Sequence, residues 1–153
     1  MKIRKVKQEE IGLARQLFEE YAMELNVDLC FQNFEKELSE LPGIYSEPEG
    51  SILLLENDNA VAVGIVALKK LEDGVCEMKR LYLKPEARKN GNGRKLAEAI
   101  LYEAKAKSYT TMKLDTIQRL VAAVKLYRSM GFEETEAYNY NPDATVLYFK
   151  KKL

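Results

Sequence analysis

The sequence contains no histidine and no tryptophan, and only two cysteines and four prolines among 153 residues. Without histidine the usual general base is gone, and with it the serine and cysteine triads that depend on imidazole and most zinc sites. Cys30 and Cys76 stand far apart in no metal-like spacing and read as reduced thiols of a cytoplasmic protein, with no metal expected. Long apolar runs are also missing: the longest, AVAVGIVAL from Ala60 to Leu68, falls short of the roughly 18 residues a membrane span needs. The opening MKIRKVKQEE has none of the apolar character of a secretory signal. Basic and acidic residues balance at 24 each, which argues against a bulk electrostatic footprint for nucleic acid or for an acidic membrane surface. No linker, repeat or low-complexity tract interrupts the chain, so residues 1–153 are expected to form one domain with its own core.

What is present is periodic. Lys2 to Val6 reads as a short strand. Ile11, Ala14, Leu17, Phe18, Tyr21 and Leu25 recur at helical spacing, with Glu9 and Glu10 suited to a helix start. Phe31, Phe34, Leu38 and Leu41 suggest a second helix that Pro42 and Gly43 stop. SILLLE and AVAVGIVALKK flank an Asn57-Asp58-Asn59 turn, and Glu72-Asp73-Gly74 leads into VCEMKRLYLK, which predicts an antiparallel meander. Gly64 inside its strand marks a candidate bulge. A helix is expected from Arg94 to Lys107, a strand over Thr110 to Asp115, and a fourth helix ending near Gly131. Strands around FEETEAY and TVLYFKK close the chain. The strand–helix–strand unit of residues 75–115 should cross over right-handed with parallel strands, giving a mixed α/β (α+β) architecture: a mostly antiparallel sheet with helices on both faces.

Between a central strand and a helix lies EARKNGNGRK, residues 86 to 95, where two glycines sit among basic residues. A helix start exposes unpaired N–H groups and a positive dipole end that favour an anion. Gly91 and Gly93 would let a phosphate approach those groups, and Arg88, Lys89, Arg94 and Lys95 could add charge-assisted hydrogen bonds. The stretch is neither a P-loop, having no G-K-[ST], nor a dinucleotide fingerprint, whose third glycine would fall at Leu96. By itself it reads equally well as a turn decorated with solvated charge.

The surroundings decide between these. Arg88-x-x-Gly91-x-Gly93, entered from RLYLKPEA and followed by a helix, resembles motif A of the GNAT superfamily of N-acetyltransferases, and LDT…AAVKLYRSMGF, residues 114 to 132, resembles its motif B. The resemblance implies the GNAT acyl-CoA N-acyltransferase fold and acetyl-CoA as acyl donor, its pyrophosphate on Arg88, Lys89, Asn90, Gly91, Asn92, Gly93 and Arg94. It also implies that backbone groups of Leu81, Tyr82 and Leu83 hold the pantetheine arm like an added strand. Three positions depart from the pattern: Lys89 replaces a glycine, Asn92 an apolar residue, and Leu120 an asparagine common among relatives.

Transfer to an amine needs an unprotonated nucleophile, since an alkylamine has a pKa near ~10.4. Glu77 is the candidate base, four residues before Leu81 and, by strand alternation without a bulge, on its face. The competing view makes it a surface glutamate paired with Lys79 or Arg80. Tyr127 resembles the motif B tyrosine that hydrogen-bonds the CoA sulfur and is the candidate acid, although its place on an apolar helix stripe equally suits the core. The N–H of Leu81 or Tyr82 could meet the oxyanion. Cys76 should face away from Glu77, into the core. The acceptor is expected to be a small-molecule amine, its pocket walled by Tyr21, Phe31, Phe34, Tyr138, Tyr140 and Asn141. No nucleic-acid or membrane partner is expected, and a homodimer is an association common among similar proteins. Two other functions compete: a non-catalytic acyl-CoA binding or sensing module, and a single-stranded nucleic-acid binder using the loop with Tyr82 and Tyr102.

Overall fold

The computed structural model describes residues 1–26 and 33–153; Cys30 and Phe31, which figure in the expectations above, lie outside them. Seven strands form one sheet in the order β1-β2-β3-β4-β5-β7-β6. The strands are β1 (Lys2–Lys5), β2 (Ser51–Glu56), β3 (Ala62–Glu72), β4 (Val75–Leu83), β5 (Thr111–Ile117), β6 (Glu133–Glu134) and β7 (Val146–Lys152). Only β4 and β5 run parallel, joined by the crossover helix α3 (Asn92–Ala106) as the sequence pattern requires.

Helix α1 (Ile11–Leu25) follows a 3-10 turn in which the Glu10 carboxylate accepts the Lys7 N–H at 2.9 Å and pairs with Arg4 at 2.6 Å. Its buried stripe, Ala14, Leu17, Phe18 and Leu25, packs on one face of the sheet with α2 (Phe34–Glu40). The opposite face carries α3 and α4 (Val121–Ser129), which bury Leu96, Ile100 and Tyr127 against Cys76, Met112 and Phe149. Cys76 is fully buried there, as expected, and burial pushes its thiol up to about 12, so it is an inert core residue.

Two boundaries differ from expectation. Helix α3 begins at Asn92, inside the glycine loop, because Gly91 takes the N-cap position. The FEETEAY strand contracts to β6, two residues long, with a further backbone bond from Thr135 N–H to Tyr148 O at 2.8 Å. Near Gly64 the β2–β3 register slips as predicted, between the pairs Leu55↔Gly64 and Glu56↔Ala62. The physical need for glycine there is close approach: a Cβ would lie 2.7 Å from Leu83 Cδ2 and 3.2 Å from Tyr82 O.

The consequential irregularity is in β4. The pair Ile65↔Tyr82 is followed by Ala67↔Lys79, so β4 carries one extra residue, and Arg80 takes a left-handed φ of 60°. Faces switch at this bulge. Cys76 and Met78 point to the α3 side, and so do Leu81 and Leu83 beyond the bulge, while Tyr82 lies with α1. Glu77 and Leu81 therefore occupy opposite faces, which corrects the expectation from simple alternation. Beyond Glu77, already before the bulge, β4 and β5 separate. Their parallel pairing is confined to Val75–Glu77 with Thr111–Lys113, although both strands run on.

Candidate active site

The separated strands form a small cleft of about 70 Å³, open to solvent. Met78, Lys79, Arg80 and Leu81 line it from β4, and Leu114, Asp115 and Thr116 from β5. The cleft passes between the two faces of the sheet: Tyr127 and Ala123 of α4 bound it on one side, Tyr21 of α1 on the other.

At the α3 end the chain presents its main chain. Asn90 and Gly91 are both left-handed, with φ of 66° and 72°, and the first helical bond runs from Lys95 N–H to Gly91 O at 3.0 Å. Among the described residues no backbone acceptor takes the N–H groups of Lys89 to Arg94. A Cβ built at Gly91 meets nothing within 4 Å, so open space lies beside these amides. This arrangement suits an anion of several oxygens.

The side chains of this loop are mostly turned elsewhere. Asn92 is buried, its Nδ2 donating to Ala87 O at 2.9 Å while its Oδ1 has no partner among the described residues. Arg88 donates to Leu83 O at 2.9 Å and to Glu24, and Arg94 donates to Ser129. In the adjoining strand, Lys84 N–H bonds Val63 O at 2.8 Å, so alternation points the main chain of Tyr82 toward β3 and that of Leu83 away from it. Tyr82 thus departs from the expectation that its backbone is free for a ligand. Its ring is buried and its hydroxyl donates to Glu20 at 3.3 Å, so it offers no stacking platform with the exposed Tyr102.

Tyr127 is buried, with its ring against Phe132 and Phe149 at 5.9 and 6.5 Å between centroids, yet it reaches the cleft. Burial, reinforced by Tyr21 and Asp115, raises its phenol above the ordinary value and keeps it protonated. Core position and cleft position, alternatives in the sequence, coincide here.

Glu77 is 2% exposed and lies at the last paired rung, opposite Lys113, where the strands begin to part. Its Oε2 accepts the Tyr138 hydroxyl at 2.6 Å, and Lys69 Nζ stands 3.9 Å from Oε1. Its salt-bridge partner is Lys69, its cross-strand neighbour, rather than Lys79 or Arg80. Asp115 is the carboxylate that lines the cleft, accepting Asn139 Nδ2 at 3.0 Å.

Of the expected acceptor wall, Tyr21 lines the cleft, Phe34 packs under the Arg80 guanidinium at 5.0 Å, and Tyr138 holds Glu77. Tyr140 is 79% exposed, and the Asn141 side chain accepts the Asp143 N–H at 3.0 Å in a local turn; both belong to the surface loop. Sequence reasoning missed the Arg80–Glu37 pair. Arg80 Nε and Nη2 donate to the two Glu37 oxygens at 3.1 and 3.0 Å, with side chains only 3% and 5% exposed. A signal existed. Arg80 falls in phase with Met78 and Cys76 on an otherwise apolar face, and a bulge before it is the simplest way to move it off that face.

The profile described as the Acetyltransferase (GNAT) family matches residues 12–132, which contain the loop, the bulged strand and α4. The chain belongs to the GNAT acetyltransferase family. An uncharacterized N-acetyltransferase of Schizosaccharomyces pombe is 38% identical over 91% of this chain and 86% of its own. A GNAT-family acetyltransferase of Staphylococcus aureus superposes with a TM-score of 0.81 at 18% identity, covering 99% of this chain and 98% of that one. The PaiA N-acetyltransferase of Thermoplasma acidophilum, solved in complex with coenzyme A, has a TM-score of 0.73 at 21% identity over 99% and 98% of the two chains. As a GNAT enzyme the protein is an acyltransferase. No helix among the described residues is long and apolar enough to cross a membrane, and they hold no cluster suited to a metal ion.

Proposed function

We propose that this GNAT enzyme transfers the acetyl group of acetyl-CoA directly to the amine of a small molecule, within the cleft between β4 and β5. The observation that carries this reading is the cleft itself: it is lined by the β4 stretch beyond its last rung with β5 and by a buried, protonated tyrosine. At the start of α3, the helix that follows β4, the amides of Lys89 to Arg94 have no backbone acceptor among the described residues. Coenzyme A supplies an activated thioester; the chain supplies position, polarity and protons.

In this reading the amides of residues 89 to 94 hold the pyrophosphate, with Lys89 and Lys95 adding charge at the rim. The main chain of Leu81 just past the bulge, with the Leu83 N–H, points away from β3 and holds the pantetheine amides as a missing strand would. An N–H at the bulge meets the carbonyl oxygen as charge develops on it. Tyr127 donates its proton to the departing thiolate, because burial disfavours its own ionised form. Glu77 receives the proton from the amine through an intervening water, held in orientation by Tyr138. The cleft-lining position of Asp115 favours a second reading, in which Asp115 takes that proton directly.

Two measurements test the proposal: melting temperature with coenzyme A, and CoA-thiol release from acetyl-CoA against amines. A raised melting temperature that disappears in Gly91→Val, with release dependent on an amine, is the expected result. Stabilisation by coenzyme A with no release for any amine would instead favour the acyl-CoA sensing module. The pH profiles of Glu77→Gln and Asp115→Asn identify the proton acceptor, since only the variant lacking it loses the acid-limb ionisation of kcat/KM.

A further inference from the structure

The glycine loop holds the only two Asn–Gly pairs of the chain, Asn90-Gly91 and Asn92-Gly93. In such a pair the glycine nitrogen can close a five-membered ring on the asparagine carboxamide, and no side chain on the glycine obstructs it. The fold treats the two pairs differently. Asn92 is 3% exposed, its Nδ2 is committed to Ala87 O at 2.9 Å, and it stands with Gly93 in the first turn of α3. Asn90 is exposed, and its carboxamide has no hydrogen-bond partner among the described residues. The Gly91 N–H has no backbone acceptor there either, and a Cβ at Gly91 would meet nothing within 4 Å. Neither the carbon that would be attacked nor the nitrogen that would attack it is shielded. The conformation that bares the loop amides also selects this pair. Asn90 and Gly91 have φ of 66° and 72°, and asparagine and glycine enter that left-handed region at the least cost.

We infer that Asn90 is a site of spontaneous deamidation, and that the reaction disables the loop for coenzyme A. The Gly91 nitrogen gives up its proton to solvent and bonds to Asn90 Cγ. The Cγ–Nδ2 bond breaks, and the nitrogen leaves as ammonia with a proton taken from solvent. Water then opens the cyclic imide at one of its two carbonyls, leaving aspartate or isoaspartate. The balance is one water consumed and one ammonia released, with no oxidant, metal or enzyme. Either product sets a carboxylate among the amides of Lys89 to Arg94, where an anion should sit. Isoaspartate also lengthens the main chain by one methylene and displaces the Gly91 amide. Asn92 is spared, because its ring can close only if the first turn of α3 opens and the bond to Ala87 breaks. A diphosphate bound to the Gly91 N–H would occupy the attacking nitrogen, so coenzyme A should protect Asn90. The modification stands on the geometry of the chain; its consequence rests on the proposed reading of the loop.

Two readouts test this, and the first needs no coenzyme A. The protein and, as an unfolded control, the peptide EARKNGNGRK are aged in buffer at physiological temperature. Aspartate and isoaspartate at each asparagine are then quantified by mass spectrometry, from the replacement of NH2 by OH. The expected result is conversion at both asparagines in the peptide but at Asn90 alone in the protein, slowed there by saturating coenzyme A. The rise in melting temperature given by coenzyme A should fall in step with conversion. Asn90→Asp should lack most of that rise from the start, with KM for acetyl-CoA raised about tenfold or more, the scale of a like charge held near a bound anion. Asn90→Gln, whose longer side chain closes its ring far more slowly, should hold its own initial value throughout. Asn90 left intact over the time in which the peptide converts overturns the inference, as does equal conversion at Asn92. Converted protein that keeps its coenzyme A stabilisation overturns it too. Fresh protein that coenzyme A fails to stabilise overturns the proposed function instead, and the mass readout still decides the modification.

Discussion

At the start of α3 the side chains turn away and the main chain is left bare; in the cleft between β4 and β5 the reverse holds. Asn92, Arg88 and Arg94 are engaged with Ala87, Leu83, Glu24 and Ser129, leaving a row of amides and the open space at Gly91. Around Arg80 the main chain belongs to the sheet and its bulge, while Arg80, Lys79, Tyr21 and Asp115 project into the opening. On the proposed function, main-chain recognition would read what every coenzyme A molecule shares, a diphosphate and amides, and would survive wide variation in side chains. Side-chain recognition is specific to one acceptor chemistry. It needs buried charges, each requiring a partner supplied from elsewhere in the fold.

Substitutions at each end should therefore fail differently. The largest effect is expected at Glu37→Gln, which leaves the Arg80 guanidinium buried without its carboxylate and should lower unfolding free energy by about 3–5 kcal/mol in denaturant titration. Retained stability would mean that the acceptor side does not depend on that pair. Next is Gly91→Val, which forces a β-branched residue to a φ of 72° and fills the space beside the amides. Its kcat/KM should fall by about 10²-fold, with coenzyme A stabilisation lost. By contrast Gly93→Ala should fold normally, because its Cβ meets only Leu126 and Leu83, each at 3.7 Å. Tyr127→Phe should lower kcat by about 10²-fold with KM for acetyl-CoA little changed; equal loss in coenzyme A binding would reduce Tyr127 to packing.

Tyr138→Phe should be milder, about tenfold or less in kcat, by freeing one oxygen of Glu77. If Asp115 alone takes the proton, this variant will be silent. The smallest effect concerns neither end. The hydrogen bond from Arg4 holds Glu10 at a pKa of about 2, below its ordinary 4.5. A depressed carboxylate adds stability above its unfolded value, and that contribution disappears as pH falls from 4.5 toward 2. Arg4→Ala should flatten the acid limb of the stability profile.

How much was legible in advance follows the same division. The glycine loop and the strand–helix–strand order were readable because a positive φ, an exposed helix start and an apolar period are local properties. The cleft position of Tyr127 was readable only through motif resemblance, since its apolar stripe speaks equally for the core. The facing of Glu77 was misread, because alternation holds only while a strand has no extra residue, and one at Arg80 reverses the pattern. The partnership of Tyr138 with Glu77 joins residues 61 apart, and that of Arg80 with Glu37 joins residues 43 apart. Neither leaves a periodic trace.

By itself, then, the sequence determined the kinds of element, their order, the parallel crossover and the place where bare main chain stands at a helix start. Folding decided which side chains share the acceptor side, how far β4 parts from β5, and which carboxylate faces the opening. The physical reason is range. Backbone preference and hydrophobic period act over a few residues, whereas a buried charge is placed only when a distant partner, brought in by packing, compensates its lost hydration.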